Sequence, residues 1–197
     1  MKHFEEDLNP IERFKRAIMR AREKGVLLPE GTALATVGAN GCPSLRMMLL
    51  KGVDDRGFTF YTNMASRKAR ELMLHPHASL CFWWPSLEEQ VRVEGEVEIV
   101  EDGEADTYFA TRPRGSQIGA WVSRQSEILS SRDALKKDFG ELEKKYAGKS
   151  VPRPPFWSGF LLKPERIEFW FGRPDRLHDR VLYARKGSDW IVSSLYP

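Results

Sequence analysis

The chain has 197 residues and a formal net charge of +3, with 31 Lys and Arg against 28 Asp and Glu. A chain of this length buries roughly 70% of its unfolded surface, so it needs neither disulfides nor a metal to fold as one domain. The mild basic excess does not by itself indicate nucleic-acid binding, although residues 112–132 are almost purely basic and the N-terminal MKHFEEDLNP is acidic.

Cysteine usage and hydropathy both favour the cytoplasm. The two cysteines, Cys42 and Cys81, have no metal-ligand spacing and lie in apolar surroundings, which predicts buried free thiols in a reducing compartment. The sequence contains no apolar run long enough to span a membrane and no signal peptide. We therefore expect a soluble, cytoplasmic protein.

The first hundred residues predict one covering helix and then mainly strands. Asn9 and Pro10 are typical of a helix start and Gly25 of its end, within an N-terminal covering segment over 1–28. The elements predicted next are strands over 32–37, 46–51 and 58–62, a helix over 66–75, and strands over 78–84 and 89–100. The last of these alternates apolar and charged residues with a period of two, so one of its faces is predicted to be buried.

The second half predicts a helical insertion over 104–146 and then more strands. The helices are predicted over 104–111, 116–122 and 133–146, and the strands over 159–163, 166–171, 180–185 and 190–195. Short strands without βαβ alternation favour an antiparallel barrel or sandwich, mainly β with flanking helices.

The first polar cluster is the stretch 46–68, RMMLLKGVDDRGFTFYTNMASRK. Arg67 and Lys68 lie in the first turn of a helix capped by Ser66, where cations oppose the helix dipole, so a bound phosphate explains them better than helix stability does. Arg46 and Lys51 are predicted on opposite faces of one strand, about 17 Å apart at about 3.3 Å per residue. They would serve two anions, unless a bulge re-aims one of them or both are merely solvent-facing strand ends.

The second cluster is 108–126, YFATRPRGSQIGAWVSRQS, in which arginines alternate with hydroxyl, amide and aromatic side chains. These groups suit an oxygen-rich anion held by directed hydrogen bonds. An RNA-binding patch has the same ingredients, so nucleic-acid binding stays open at this point.

The third cluster is 167–180, IEFWFGRPDRLHDR. Arg176, His178 and Arg180 would share one face if this segment were extended, and they would repel one another unless an anion or an electron-rich ring lay against them. The sequence shows no metal-ligand spacing among its four histidines, no Gly-rich nucleotide motif and no nucleophile elbow. Any chemistry would therefore need a bound cofactor.

Six motifs occur in order: RMMLLK (46–51), FYTNMASRKA (60–69), EEQVRVEG (88–95), RPRGSQIGAWVSRQS (112–126), PPFWSGF (154–160) and IEFWFGRPDRLHDR (167–180). Together they resemble the pyridoxamine/pyridoxine 5′-phosphate oxidase family, from about residue 30 to the C-terminus. The resemblance implies a single α+β domain over 1–197, an antiparallel split β-barrel that binds FMN as a homodimer with each flavin at the subunit interface.

The resemblance also implies the site residues. The flavin would be held by Arg46, Met47, Met48, Leu49, Leu50, Lys51, Tyr61, Thr62, Arg67, Lys68, Gln90, Gln125, Ser126, Trp170 and Arg180, some of them from the partner subunit. The substrate would be held by Lys51, Tyr108, Arg112, Ser116, Arg176, Leu177 and His178. Arg176 is the implied catalytic residue for orientation and charge stabilisation, and His178 the implied proton relay.

The implied reaction is oxidation of pyridoxamine or pyridoxine 5′-phosphate to pyridoxal 5′-phosphate, with hydride passing to FMN and dioxygen then yielding hydrogen peroxide. The alternatives are a flavin-binding relative with another substrate, a non-catalytic flavin or pyridoxal-phosphate binder, and a nucleic-acid-binding barrel. The partners implied are phosphorylated B6 vitamers and dioxygen, with no nucleic acid and no membrane.

The sequence departs from the family pattern at both ends. Family members often carry an arginine-rich, tyrosine-containing N-terminal arm that closes over the substrate, and the acidic MKHFEEDLNP has no counterpart to it. Near the C-terminus, Ser194 stands where the pattern has an arginine before Leu195. Neither departure touches the implied flavin or phosphate residues.

Overall fold

The computed structural model describes residues 9–197, so the acidic start at residues 1–8 lies outside the described residues. The helices in this range are α1 (Pro10–Glu23), α2 (Arg67–Leu74), α3 (Asp102–Thr111), α4 (Arg114–Val122) and α5 (Arg132–Lys145). The strands are β1 (Gly31–Val37), β2 (Pro43–Leu49), β3 (Gly52–Asp54), β4 (Gly57–Asn63), β5 (His77–Trp84), β6 (Glu89–Ile99), β7 (Trp157–Phe171), β8 (Asp179–Lys186) and β9 (Asp189–Ser194).

The strands form one antiparallel sheet in the order β2-β1-β5-β6-β7-β4-β3, and β8 and β9 continue it beyond β7. β7 joins the two halves, because it pairs with β6 along most of its length, with β4 at its start and with β8 at its end. The alternation predicted for 89–100 is confirmed, since Val91, Val93, Gly95 and Val97 are buried and Arg92, Glu94 and Glu96 between them are not. The predicted mainly β, antiparallel α+β architecture is confirmed.

β7 is a single strand of 15 residues, whereas the sequence predicted two strands with a break around Pro164. The pairing register with β6 shifts between Glu94 and Gly95, opposite this proline. A bulge rather than a turn therefore accommodates the missing N–H of the proline. Gly95 is required at this point, because a Cβ there would collide with the carbonyl oxygen of Lys163.

α1 covers the sheet and supplies the centre of the main core. The side chain of Asn9 caps the helix by accepting the N–H of Ile11 at 2.9 Å, as the sequence predicted. Phe14 is fully buried and packs edge-on against Phe58 and Phe82, with ring centroids 4.9 and 4.8 Å apart. These contacts tie the covering helix to β4 and β5.

The helices α3, α4 and α5 lie between β6 and β7 in the chain and share a second, smaller core with the start of β7. Phe109 and Ile118 are buried in it beside Trp157. Arg114 Nη1 donates to the carbonyl of Lys149 at 2.9 Å, which fixes the connection that follows α5. This packing places α3 and α4 beside β4, and a cavity opens between them.

Two further findings concern the sequence predictions. Cys81 is half-buried but Cys42 is exposed, so the prediction of two buried thiols is wrong for Cys42, which lies in the loop between β1 and β2. Across residues 9–197, no helix is both long and apolar enough to cross a membrane.

Candidate functional site

A cavity of about 380 Å³ lies between the β2–β4 region and the helical insertion. It brings together the first and second polar clusters, because its lining includes Met48, Lys51, Tyr61, Thr62, Lys68, Tyr108, Arg112, Ser116 and Gln125. This volume falls within the range of about 300–1,000 Å³ that small-molecule sites occupy. The third cluster contributes nothing to the lining.

Lys68 is a buried cation at one part of this cavity. Its Nζ donates to Gln125 Oε1 at 2.8 Å, to Thr62 Oγ1 at 3.2 Å and to Ser66 Oγ at 3.4 Å, and these three partners are neutral. Burial, and then the charge of Arg46, lower the pKa of Lys68 to about 8. A bound anion would favour the charged form and raise this pKa, because it supplies the counter-charge that these partners lack.

The start of α2 adds further donors beside Lys68. Ser66 caps the helix as predicted, accepting from the N–H of Ala69, and the N–H of Arg67 donates to Ser126 Oγ at 3.1 Å. Ser126 follows Gln125 in a segment with a left-handed φ of 77° at Ser126. The loop after α4 is thereby held against the first turn of α2.

Arg46 lies behind the cavity, where its guanidinium is bound by the protein. Its Nη1 donates to Thr36 Oγ1 at 2.6 Å, and its Nη2 donates to Ser44 Oγ and to Glu71 Oε2, the latter at 3.2 Å. Glu71 also accepts from Arg67 Nε at 2.8 Å. Sequence reasoning missed Glu71, although its position four residues after Arg67 on a helix is the spacing of an ion pair.

Glu71 is ionised despite being buried. Its side chain is only 7% exposed, and burial alone would raise its pKa. Hydrogen bonds from Ser44, Thr36 and Arg67 outweigh burial and lower the pKa of Glu71 to about 2.

The strand predicted over 46–51 is confirmed for 46–49 but is wrong at its end. β2 ends at Leu49, the next residue Leu50 turns into the main core, and the N–H of Lys51 bonds to the carbonyl of Thr59 at 2.9 Å. Arg46 and Lys51 therefore do not lie on opposite faces of one unbroken strand, as the sequence predicted. Lys51 lines the cavity while Arg46 does not, so the two cations are still separated.

The predicted β2 residues face different surroundings. Met48 lines the cavity, whereas Met47 and Leu49 point outward and are 70% and 37% exposed. Leu50 is buried in the core. Only the inward-facing part of this run therefore reaches the cavity within one chain.

Arg112 is a second half-buried cation in the cavity. Its guanidinium carbon lies 4.7 Å from the ring centroid of Trp157 and 5.5 Å from that of Phe109. Burial lowers the pKa of Arg112, and its Nη1 is buried without a hydrogen-bond partner among the described residues. A buried, unsatisfied donor costs about 1–3 kcal/mol, which an oxygen-rich anion would relieve.

An aromatic stack forms one wall of the cavity. Tyr61 is stacked on Tyr108 with ring centroids 4.0 Å apart and on Trp157 with centroids 5.4 Å apart. Burial, and then the charge of Glu104, raise the pKa of Tyr61 to about 12. Burial also raises the pKa of Tyr108. Both phenols are neutral hydroxyl donors near neutral pH.

The third cluster lies at the other end of β7. Gln90, Trp170 and Arg180 are register partners across β6, β7 and β8. Trp170 comes 13 positions after Trp157 in the same strand, a contour of about 43 Å at about 3.3 Å per residue. Arg180 donates to the buried Glu168 from Nε at 2.8 Å and from Nη2 at 3.1 Å.

Residues 176–180 do not form the extended segment in which Arg176, His178 and Arg180 would share one face. A 3₁₀ turn spans Pro174–Arg176, and Asp175 and Arg176 have left-handed φ values of 58° and 60°. The His178 ring lies 4.5 Å from the Trp170 ring, and its Nδ1 accepts the N–H of Arg173 at 3.1 Å. A neutral His178 therefore carries its proton on Nε2. Arg176 and Leu177 are exposed.

Comparison with known proteins gives two family matches. The sequence model described as Pyridoxamine 5'-phosphate oxidase matches residues 24–146. The chain belongs to the pyridoxamine 5′-phosphate oxidase family. A second model, described as Pyridoxine 5'-phosphate oxidase C-terminal dimerisation region, matches residues 157–197 and supports a homodimer. The predicted family is confirmed.

Similar proteins agree with this membership. A Pyridoxine/pyridoxamine 5'-phosphate oxidase of Myxococcus xanthus strain DK1622 is 53% identical, covering 96% of this chain and 92% of the relative. One from Rubrobacter xylanophilus is 52% identical, covering 97% and 88%. The crystal structure of PhzG from Burkholderia lata 383, in complex with tetrahydrophenazine-1-carboxylic acid, has a TM-score of 0.94 and 35% identity, covering 98% and 95%.

A more distant structure confirms the fold. The pyridoxamine 5'-phosphate oxidase-related, FMN binding protein of Nostoc punctiforme PCC 73102 has a TM-score of 0.76 at 19% identity, covering 94% of this chain and 96% of that one. Together with PhzG it confirms the predicted split-barrel fold of this family.

Proposed function

We propose that the chain oxidises pyridoxamine 5′-phosphate and pyridoxine 5′-phosphate to pyridoxal 5′-phosphate, with FMN as the bound cofactor and dioxygen as the acceptor that yields hydrogen peroxide. Relatives more than 50% identical over nearly the whole chain carry this enzyme's name. The structural observation that supports it is one cavity with two sets of anion-binding groups, centred on Lys68 and on Arg112.

The first set fits the phosphate of FMN. Arg46, Arg67 and Lys68 carry three positive charges against the single negative charge of Glu71, an excess that a phosphate monoester of about −1.5 to −2 charge would neutralise. Gln125 and Ser126 would complete the phosphate contacts, and Thr62, Tyr61 and the inward-facing part of β2 would contact the rest of the flavin. When bound, FMN supplies the capacity to accept a hydride from the substrate carbon.

The second set fits the phosphate of the substrate. Arg112 Nη1 is an unpartnered donor, Lys51 adds a second cation, and Tyr108 and Ser116 add hydroxyls. Anchoring a substrate by its phosphate fixes the position of its reacting carbon, which converts binding energy into proximity.

The third set would complete the site of the partner subunit. Gln90, Trp170 and Arg180 lie at the far end of β7 from the cavity, and Trp170 and Arg180 fall within the matched dimerisation region. In a symmetric dimer this end of one chain is free to approach the cavity of the other. Arg176 would then cover the substrate ring, and His178 would present an Nε2–H donor rather than a lone pair.

A second candidate is oxidation of a tricyclic carboxylic acid, which the PhzG complex suggests. The cavity favours the phosphate ester, because two cations and two hydroxyls are more donors than a single carboxylate needs. Oxidation of a tricyclic carboxylic acid is therefore the second candidate.

One assay separates the candidates. Purified protein should contain FMN at one per chain and should form hydrogen peroxide with both phosphorylated vitamers. It should form none with tetrahydrophenazine-1-carboxylic acid. Flavin-loaded protein that oxidises neither vitamer would contradict the proposed function.

A further inference from the structure

The carboxylate of Glu71 is the one acidic group hydrogen-bonded to the cations of the first set, within residues 9–197. It accepts from Arg67 Nε at 2.8 Å and from Arg46 Nη2 at 3.2 Å. It also accepts from Thr36 Oγ1 at 2.5 Å and from Ser44 Oγ at 2.6 Å. Its two oxygens therefore meet four donors from β1, β2 and α2.

Fold stability alone is a poor explanation for this arrangement. Removing a carboxylate from water costs several kcal/mol, and well-packed apolar residues of similar volume often serve stability as well or better. Glu71 is 7% exposed, yet its ionic partners Arg46 and Arg67 are 20% and 62% exposed. The buried carboxylate is thus paired with two arginine side chains that are more exposed than it is.

The contacts leave specific donors for a ligand. Arg67 uses only its Nε in the pair with Glu71, so neither of its Nη groups is hydrogen-bonded to this carboxylate. Arg46 uses both of its Nη groups on Glu71 and its neighbours, which leaves its Nε–H. Glu71 therefore bonds to one nitrogen of each guanidinium, and each guanidinium keeps other N–H groups that this carboxylate does not engage.

We infer that Glu71 is a positioning residue for the flavin phosphate, holding Arg46 and Arg67 in the orientation that the phosphate requires. This inference rests on the proposed function, which assigns these two arginines to FMN. Without the carboxylate, Arg46, Arg67 and Lys68 would repel one another and reorganise before each binding event.

Two effects of Glu71 on FMN oppose each other. Its negative charge repels a phosphate, so removing the charge would strengthen FMN binding if repulsion dominated. Its hydrogen bonds hold the two arginines, so removing it would weaken FMN binding if positioning dominated. We expect positioning to dominate over repulsion, because two cations lie directly against the carboxylate and screen it from the phosphate.

The test compares FMN with riboflavin, which lacks the phosphate, on full-length protein stripped of flavin. Flavin fluorescence quenching gives both dissociation constants for the wild type and for Glu71→Gln. We expect Glu71→Gln to weaken FMN about 10- to 100-fold, the range expected for a hydrogen bond to a charged group, and to change riboflavin less than about twofold. Unchanged or tighter FMN binding would overturn the inference, and so would an equal loss for both flavins.

Two further variants keep the test decisive. Glu168→Gln removes another buried carboxylate that binds two arginines, Arg92 and Arg180, and it should leave the FMN-to-riboflavin ratio unchanged. Ser44→Ala removes one bond to Glu71 and one to Arg46, so it should weaken FMN about threefold without affecting riboflavin, even if Glu71→Gln does not fold. An unaltered ratio in Ser44→Ala would count against the inference.

The wild-type measurement separates this inference from the proposed function. If the wild type bound riboflavin as tightly as FMN, the assignment of Arg46, Arg67 and Lys68 to the phosphate would itself fail. If the wild type preferred FMN and Glu71→Gln kept that preference, the positioning role of Glu71 would be contradicted while the proposed function would stand.

Discussion

The cations near the two ends of β7 differ in their hydrogen-bond partners. At the cavity end, Lys68 has only neutral hydrogen-bond partners and Arg112 has a buried Nη1 with none among the described residues. At the far end, Arg180 is bound by Glu168 and Arg173 by Asp179. The cavity end therefore has charge left for an anion, whereas at the far end Arg180 and Arg173 are paired with carboxylates and the remaining groups are aromatic rings, one oriented histidine and the exposed Arg176.

This difference indicates that the two ends of β7 have different binding roles. A region with uncompensated donors gains most from binding phosphate, because the ligand satisfies groups that folding left unsatisfied. A region with compensated charge gains little from an anion and instead offers surface to a flat ligand. The variants below test this division.

The largest effect is expected from Arg112→Gln. Loss of a charged donor to the substrate phosphate should lower kcat/KM for pyridoxamine 5′-phosphate about 10- to 100-fold, with flavin content unchanged. Steady-state peroxide assays measure it. The control is Arg114→Gln, two residues away, whose guanidinium binds the carbonyls of Lys149 and Tyr146 outside the cavity. Equal losses in both variants would remove Arg112 from its assigned role.

A loss of about tenfold in turnover is expected from Arg176→Lys, because an ammonium does not replace a planar, stacking guanidinium. Flavin content and FMN affinity should stay at the wild-type level, since the far end does not hold the phosphate in this account. Turnover equal to that of the wild type would contradict the role of Arg176, and loss of flavin would contradict the division between the two ends.

The pH dependence of flavin affinity tests Lys68. Its pKa of about 8 in flavin-free protein means that FMN binding requires a proton on this amine as the pH rises above 8. FMN affinity should therefore fall by at most about tenfold per pH unit above about pH 8, while riboflavin affinity stays flat. Lys68→Met should remove this dependence. A wild-type FMN affinity that is flat from pH 7 to 9.5 would contradict the prediction.

The same lysine has the opposite effect on the stability of flavin-free protein. Its folded pKa lies below its ordinary value of 10.5, so the unfolded chain binds more protons between about pH 8 and 10.5. The contribution of Lys68 to the free energy of unfolding should rise with pH in that window. Thermal melts at pH 7.5 and 9.5 measure this contribution as the difference in Tm between the wild type and Lys68→Met.

The smallest effect concerns acid stability. The pKa of Glu71 is about 2 in the folded chain, below its ordinary value of 4.5, so its stabilisation is present above pH 4.5 and lost as the pH falls towards 2. Between pH 5 and 3 the wild type should lose about 2–4 °C more in Tm than Glu71→Gln does. Glu98→Gln, an exposed partner of Lys163, is the control and should behave as the wild type. Parallel pH curves for the wild type and Glu71→Gln would contradict this.

Local signals in the sequence predicted much of this architecture. The period-two alternation of β6 and the caps at Asn9 and Ser66 depend on neighbouring residues, so the sequence contains them directly. The six motifs identified the family. The pairing of Lys68 with Gln125 joins residues 57 positions apart, and only the resemblance indicated it.

The errors came from long-range packing. β2 ends at Leu49 because the side chain of Leu50 packs into the core. The periodicity of the sequence does not show that core packing ends the strand there. The segment around Arg176 is a turn because Asp175 and Arg176 adopt left-handed conformations that propensity does not favour. The spacing from Arg67 could have indicated Glu71, but its contact with Arg46 could not be predicted, because Arg46 is 25 positions away on another element.

The most direct test of the central claim is complementation between Arg112→Gln and Arg176→Lys. If each site takes its cavity from one chain and Arg176 from the other, a mixed dimer has one site with both changes and one intact site. Co-expression with random pairing should then restore about a quarter of wild-type peroxide formation, since half of the dimers are mixed and each has one intact site of two. Activity no higher than the mean of the two single variants would contradict the account, because it would place both residues of a site on the same chain.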